Sequence, residues 1–72
     1  DVIIYPSMVK EKIFIETAGY VRITIYDMYG KLVYSHNASS SFEVDLSTWN
    51  SGIYLIRTEQ NNQIFKYKII KQ

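Results

Sequence analysis

Apolar and polar residues alternate along most of the chain with a period of two. Val21, Ile23 and Ile25 are interleaved with Arg22, Thr24 and Tyr26. Phe42, Val44 and Leu46 alternate with Glu43 and Asp45, and Phe65, Tyr67 and Ile69 alternate with Lys66 and Lys68. Successive side chains of a strand point to opposite faces, so each run predicts a half-buried strand. Further runs lie at Val2-Ile3-Ile4-Tyr5, Ile13-Phe14-Ile15, Leu32-Val33-Tyr34 and Ile53-Tyr54-Leu55-Ile56, which brings the count to seven strands.

Turn signals separate these runs at intervals of roughly ten residues, the spacing of an all-β domain. Pro6-Ser7 ends the first run, because proline fixes φ and donates no hydrogen bond. Ala18-Gly19 divides the second from the third. Asp27-Met28-Tyr29-Gly30 reads as a tight turn between antiparallel strands, with Gly30 at positive φ. Asn37-Ala38-Ser39-Ser40-Ser41 is a polar loop, residues 46–52 allow one helical turn at most, and Gln60-Asn61-Asn62 closes the last hairpin. The pattern predicts an antiparallel β-sandwich with Greek-key connections, or a small partly closed barrel. Seven strands of four to seven residues barely cover two sheets, so edges stay open to pairing with other chains, an edge-strand dimer being one such option. Lys66 and Lys68 either block such pairing or tune it toward one partner.

Composition narrows the function classes. The 72 residues are 47% apolar and 15% aromatic, too hydrophobic for a disordered segment and near the lower size limit for a self-supporting core. No cysteine is present, so neither disulfides nor thiolate metal sites supplement that core. A net charge of +1 argues against a nucleic-acid domain, and no stretch approaches the ~18 apolar residues of a membrane helix. Charge is locally basic only at the C-terminal end, with Lys66, Lys68 and Lys71 and no acid after Glu59. The chain opens directly in Asp1-Val2-Ile3-Ile4-Tyr5 without a leader, as expected of a segment cut from a longer protein.

Candidate chemistry is sparse. His36 is the single histidine and reads as a solvated residue at a strand end, since one imidazole with scattered carboxylates does not complete a metal shell. Gly19, Gly30 and Gly52 lie far apart at turn positions and form no phosphate loop. Ser39, Ser40 and Ser41 have no base nearby in sequence. Glu43 and Asp45 share one strand face, an arrangement that can serve glycosidic chemistry, but alternation makes it the solvated face of a strand. Asp45 is also placed to accept from the Ser47-Thr48 turn. Among the aromatics, Tyr54 sits inside an apolar run and reads as core, while Tyr26, Tyr29 and Trp49 leave open a sugar-stacking surface. No enzyme activity, metal or cofactor is implied.

The chain ends on Ser51-Gly52-Ile53-Tyr54-Leu55-Ile56-Arg57, a polar turn, and Phe65-Lys66-Tyr67-Lys68-Ile69-Ile70-Lys71-Gln72. Together with Tyr5-Pro6, the Tyr26-Asp27-Met28-Tyr29-Gly30-Lys31 turn and Val44-Asp45-Leu46-Ser47, these motifs stand in an order that resembles the C-terminal sorting domain of type IX secretion cargo, over residues 4–72. That family reads Tyr-Pro-Asn-Pro at the first turn, whereas this chain has Tyr5-Pro6-Ser7-Met8. Ser7 caps the turn less strongly than Asn would, and the missing proline loosens it in the unfolded chain by up to about 1 kcal/mol.

The resemblance implies a seven-stranded immunoglobulin-like sandwich and a single sorting domain over residues 1–72, attached C-terminally to a cargo domain in the same parent chain. It implies recognition by the type IX machinery, passage through the periplasm and across the outer membrane of a Gram-negative bacterium, removal by a surface sortase-like peptidase, and release or surface anchoring of the cargo. Carried over by position, the recognition residues are Gly30, Lys31, Gly52, Tyr54, Lys68, Ile69, Ile70 and Lys71, with the last strand as the docking element by strand addition or groove docking. The competing readings are an immunoglobulin- or fibronectin-like adhesion or carbohydrate-binding module and a structural spacer.

Overall fold

The computed structural model describes residues 2–72; Asp1, which opens the first run, lies outside the described residues. Every regular element among them is a strand: β1 (Val2–Tyr5), β2 (Met8–Val9), β3 (Lys12–Thr17), β4 (Val21–Asp27), β5 (Leu32–Ala38), β6 (Phe42–Asp45), β7 (Gly52–Gln60) and β8 (Gln63–Lys71). They form a three-stranded sheet in the order β1-β3-β6 and a five-stranded sheet in the order β2-β8-β7-β4-β5.

In β4, β6 and β8 the alternation read from the sequence decides which side is dry. Ile13 and Ile15 of β3 and Val44 of β6 meet Ile23 and Ile25 of β4, Ile56 of β7 and Ile69 of β8 in one hydrophobic cluster shared by both sheets. Local polar contacts hold the links. The Asp45 carboxylate accepts from the Ser47 N–H at 2.9 Å, which holds its carboxyl below the ordinary carboxylate value. The Trp49 N–H donates to the Leu46 carbonyl at 2.9 Å, the one turn that this polar stretch allows. At the last hairpin Asn61 and Asn62 have φ of 53° and 63°, the pair of left-handed residues that a two-residue turn requires.

Three departures from the expected architecture have physical causes. There are eight strands rather than seven, because Met8–Val9 pairs with the end of β8. Two residues carry no period, so nothing in their own sequence marks them as a strand. This pairing is parallel, so the sheets are not wholly antiparallel. Last, β5 runs on to Ala38 through Ser35, His36 and Asn37, residues that read as a strand end and loop. β5 is an edge strand beside β4 alone: Tyr34, His36 and Ala38 lie opposite the core residues Ile25, Ile23 and Val21, but the strand is mostly exposed and its covered side carries a histidine and an alanine, so no apolar–polar alternation marks it. His36 therefore lies within a strand, exposed as expected, with its ring 4.7 Å from that of Phe42 on β6.

Candidate functional site

Three sequence segments carry the candidate recognition residues, and they converge at one end of the five-stranded sheet. The first is the β4–β5 turn. Asp27 organises it: one carboxylate oxygen accepts from the Tyr29 and Lys31 N–H groups, each at 2.9 Å, while the Gly30 N–H donates to the Asp27 carbonyl at 3.0 Å. Gly30 adopts φ +83° with open space where a Cβ would stand. Gly30→Ala therefore meets no clash and suffers only the backbone penalty of the left-handed region, about 1 kcal/mol. A urea titration should show a lower midpoint with unchanged slope.

The second segment is the start of β7. Gly52 has φ +148°, which lets the chain turn out of the Trp49-Asn50-Ser51 loop into the sheet. Tyr54 is 7% exposed, packs 5.1 Å from the Trp49 ring, and donates its hydroxyl hydrogen to the Asn50 carbonyl at 2.7 Å. Its ring fills the core while its oxygen fastens the loop that precedes its own strand.

The third segment is the end of β8, where residues of alternate parity have different surroundings. Ile69 is 2% exposed and belongs to the core. Lys71 shares its side of the strand and is 8% exposed, with Nζ donating to the carbonyl of Gln72 at 2.9 Å. Lys68 and Ile70 lie on the outer face, exposed. Nor is this strand end free. Ile70 N–H donates to the Ser7 carbonyl and Gln72 N–H to the Val9 carbonyl, both at 2.8 Å, so β2 takes the edge that the sequence left open. Among the described residues, β2 pairs with residues 70 and 71 of β8, and residues 63–69 have no strand on that side.

Pairing brings the segments together. Gly52 lies opposite Lys71, Ile53 opposite Ile70, Tyr54 opposite Ile69 and Leu55 opposite Lys68. On its other side Tyr54 faces Asp27, at the root of the turn that bears Gly30 and Lys31. A depression of about 110 Å³ lies between that turn and β7, lined by Asp27, Met28, Tyr29 and residues 50–54. Sequence reasoning left one prominent member out of the recognition residues: Tyr29, 89% exposed at the tip, read as a sugar-stacking candidate.

The arrangement offers backbone edges, apolar side chains and ammonium groups, the means of protein recognition. Among the described residues no three His, Cys, Asp or Glu side chains are grouped to hold a metal ion. No helix among them is long and apolar enough to cross a membrane.

A family model described as the secretion system C-terminal sorting domain matches residues 3–72. A search of curated proteins finds no match.

Proposed function

We propose a mode of action for a chain that belongs to the secretion system C-terminal sorting domain family: the sheet end where the β4–β5 turn, the start of β7 and the end of β8 meet is the surface that the secretion machinery reads. The domain is a C-terminal secretion signal for type IX secretion cargo. The family is a sorting signal and not a catalyst, and its cargo is secreted or attached to the cell surface. The family match favours this role over an adhesion or carbohydrate-binding module.

The observation that carries the reading is the register of β7 against β8, which sets Gly52 and Ile53 beside Ile70 and Lys71 although some twenty positions separate them in sequence. Lys31, Lys68 and Ile70 present side chains there, whereas Gly30, Gly52, Tyr54, Ile69 and Lys71 shape the backbone and core beneath. Recognition then depends on a folded surface and not on a loose terminal strand. A parent chain with an N-terminal cargo domain, transit through the periplasm, and later removal by a surface sortase-like peptidase complete this proposal. The immunoglobulin-like sandwich is part of it too. The orders β1-β3-β6 and β8-β7-β4-β5 and the Tyr54 hydroxyl bonded four residues back, as in a tyrosine corner, support that assignment.

The test fuses the chain to a periplasmic fluorescent passenger in a bacterium with an active type IX system. Lys31→Ser with Ile70→Ser changes two exposed side chains and leaves the core intact, so the domain should melt within a few degrees of the wild type. Export should drop at least tenfold. Unchanged export from a normally folded double variant would overturn the assignment of this surface.

A further inference from the structure

The two sheets turn outward faces of opposite charge to the solvent. Cross-strand pairing orders the outer face of the five-stranded sheet into rows. Lys68, Leu55, Tyr26 and Leu32 make one row, and Lys66, Arg57, Thr24 and Ser35 make the next. Met8, Ile70 and Ile53 form an apolar row on one side, while Arg22 and Glu59 stand in the row on the other. This face carries four cations against one carboxylate, and that carboxylate is already shared, with Arg22 at 3.7 Å and Arg57 at 3.9 Å. Among the described residues Lys66 and Lys68 make no ion pair.

The outer face of the three-stranded sheet is the complement. Glu16, Glu43 and Asp45 lie there with a single cation, Lys12, which is 3.1 Å from Glu43. Between the acids sit Ile3, Tyr5 and Phe14, exposed, with the Tyr5 and Phe14 rings stacked at 5.5 Å. Both faces thus pair exposed apolar groups with an excess of one charge. Adjoining exposed apolar groups rimmed by charges are a feature of protein contact surfaces.

We infer that the occupant of the basic face is the acidic face of a second copy of this chain, so that domains associate face to back. Charge complementarity selects this partner: Lys66 and Lys68 meet Glu16 and Glu43, and Tyr5 and Phe14 cover Leu55 and its apolar neighbours. The contact is heterologous, so each copy keeps one free face and association continues into short chains without closing as a dimer. Three strands at about 4.8 Å spacing present a narrow face, well below the roughly 800 Å² per partner of a stable complex. The association is therefore weak, and salt screening dissolves it. It differs from edge pairing, which would use the backbone of β5 or of residues 63–69 and leave these faces bare.

Sedimentation velocity and amide NMR of the 72-residue chain, from 10 µM to 1 mM in 20 mM and 500 mM NaCl, test this. The expected result is a concentration-dependent rise in sedimentation at low salt only, with shifts confined to the two outer faces. Lys66→Glu with Lys68→Glu should abolish the rise, and so should Glu16→Lys with Glu43→Lys. The quadruple variant, with both faces reversed, should regain it. A monomer at 1 mM in low salt, a quadruple variant no better than either double, or shifts confined to edge-strand amides would each overturn the inference. Melting curves within a few degrees of wild type establish that the variants are folded, and a variant that melts earlier is replaced by the corresponding Lys→Ser or Glu→Gln pair.

Discussion

Deletion of residues 68–72 should unfold the domain, and so abolish export for a structural reason. The lost segment contains Ile69, 2% exposed in the core, and the residues that pair with Gly52, Ile53, Tyr54 and Leu55 of β7. It also contains the one strand that β2 pairs with among the described residues, so Val9, 1% exposed, is released with it. Exposing two such side chains costs about 3–6 kcal/mol before the ladder hydrogen bonds are counted. A chain of this length has only some 4–11 kcal/mol of stability to lose. Far-UV circular dichroism and Trp49 fluorescence of the truncated chain should show no cooperative thermal transition near that of the full chain. A fused passenger should fold and remain in the periplasm. A truncated domain that melts as the full chain does would restore the view of this strand as a detachable handle, and normal surface display of the truncated fusion would remove the strand from recognition altogether.

Ile56→Ala should cost the domain about 3–4 kcal/mol. Ile56 is fully buried on β7, a strand paired on both sides, with Ile25 and Tyr67 as its cross-strand neighbours. Removing three carbons there forfeits their transfer free energy and leaves a cavity that a sheet held on both sides cannot collapse to fill. For a domain of this size the loss corresponds to a fall in Tm of about 15–25 °C. The adjacent Leu55 points outward and is half exposed, so Leu55→Ala should cost about 1 kcal/mol or less. Urea denaturation of the two variants side by side measures the contrast; equal losses would mean that the inward and outward faces of β7 are assigned wrongly.

The contrast between Glu43 and Val44 was legible in the sequence; that between Ile56 and Leu55 was not, because Ile53-Tyr54-Leu55-Ile56 is apolar at every position and only the pairing of β7 shows which side is covered. Alternation is a local property: within one strand it fixes which residues share a face, and burial then follows from hydrophobicity. The Asp27–Gly30 turn and the Asn61-Asn62 hairpin were legible too, because φ > 0 is a demand that few residues meet. His36 and Met8 were not. His36 is a polar residue on the covered side of an edge strand, where the sequence shows no alternation, and Met8 belongs to a pair of residues that is extended because β8 lies beside it.

The candidate surface divides the same way. Each of its segments could be picked out in the sequence, as could the family order that makes the chain a sorting signal. Their meeting could not, nor could the fact that Lys71 faces inward beside Ile69 and that this strand end is capped by β2. The sequence by itself determined the strand runs, most turns, the dry side of the alternating strands β4, β6 and β8 and the role in secretion. Tertiary structure alone decided which strands are neighbours, that the terminal strand is built into the sheet, and that basic and acidic residues fall on opposite outer faces. The reason is that periodicity speaks only to a residue's own strand, whereas strand order and register are chosen by the whole chain as it closes two sheets over one core.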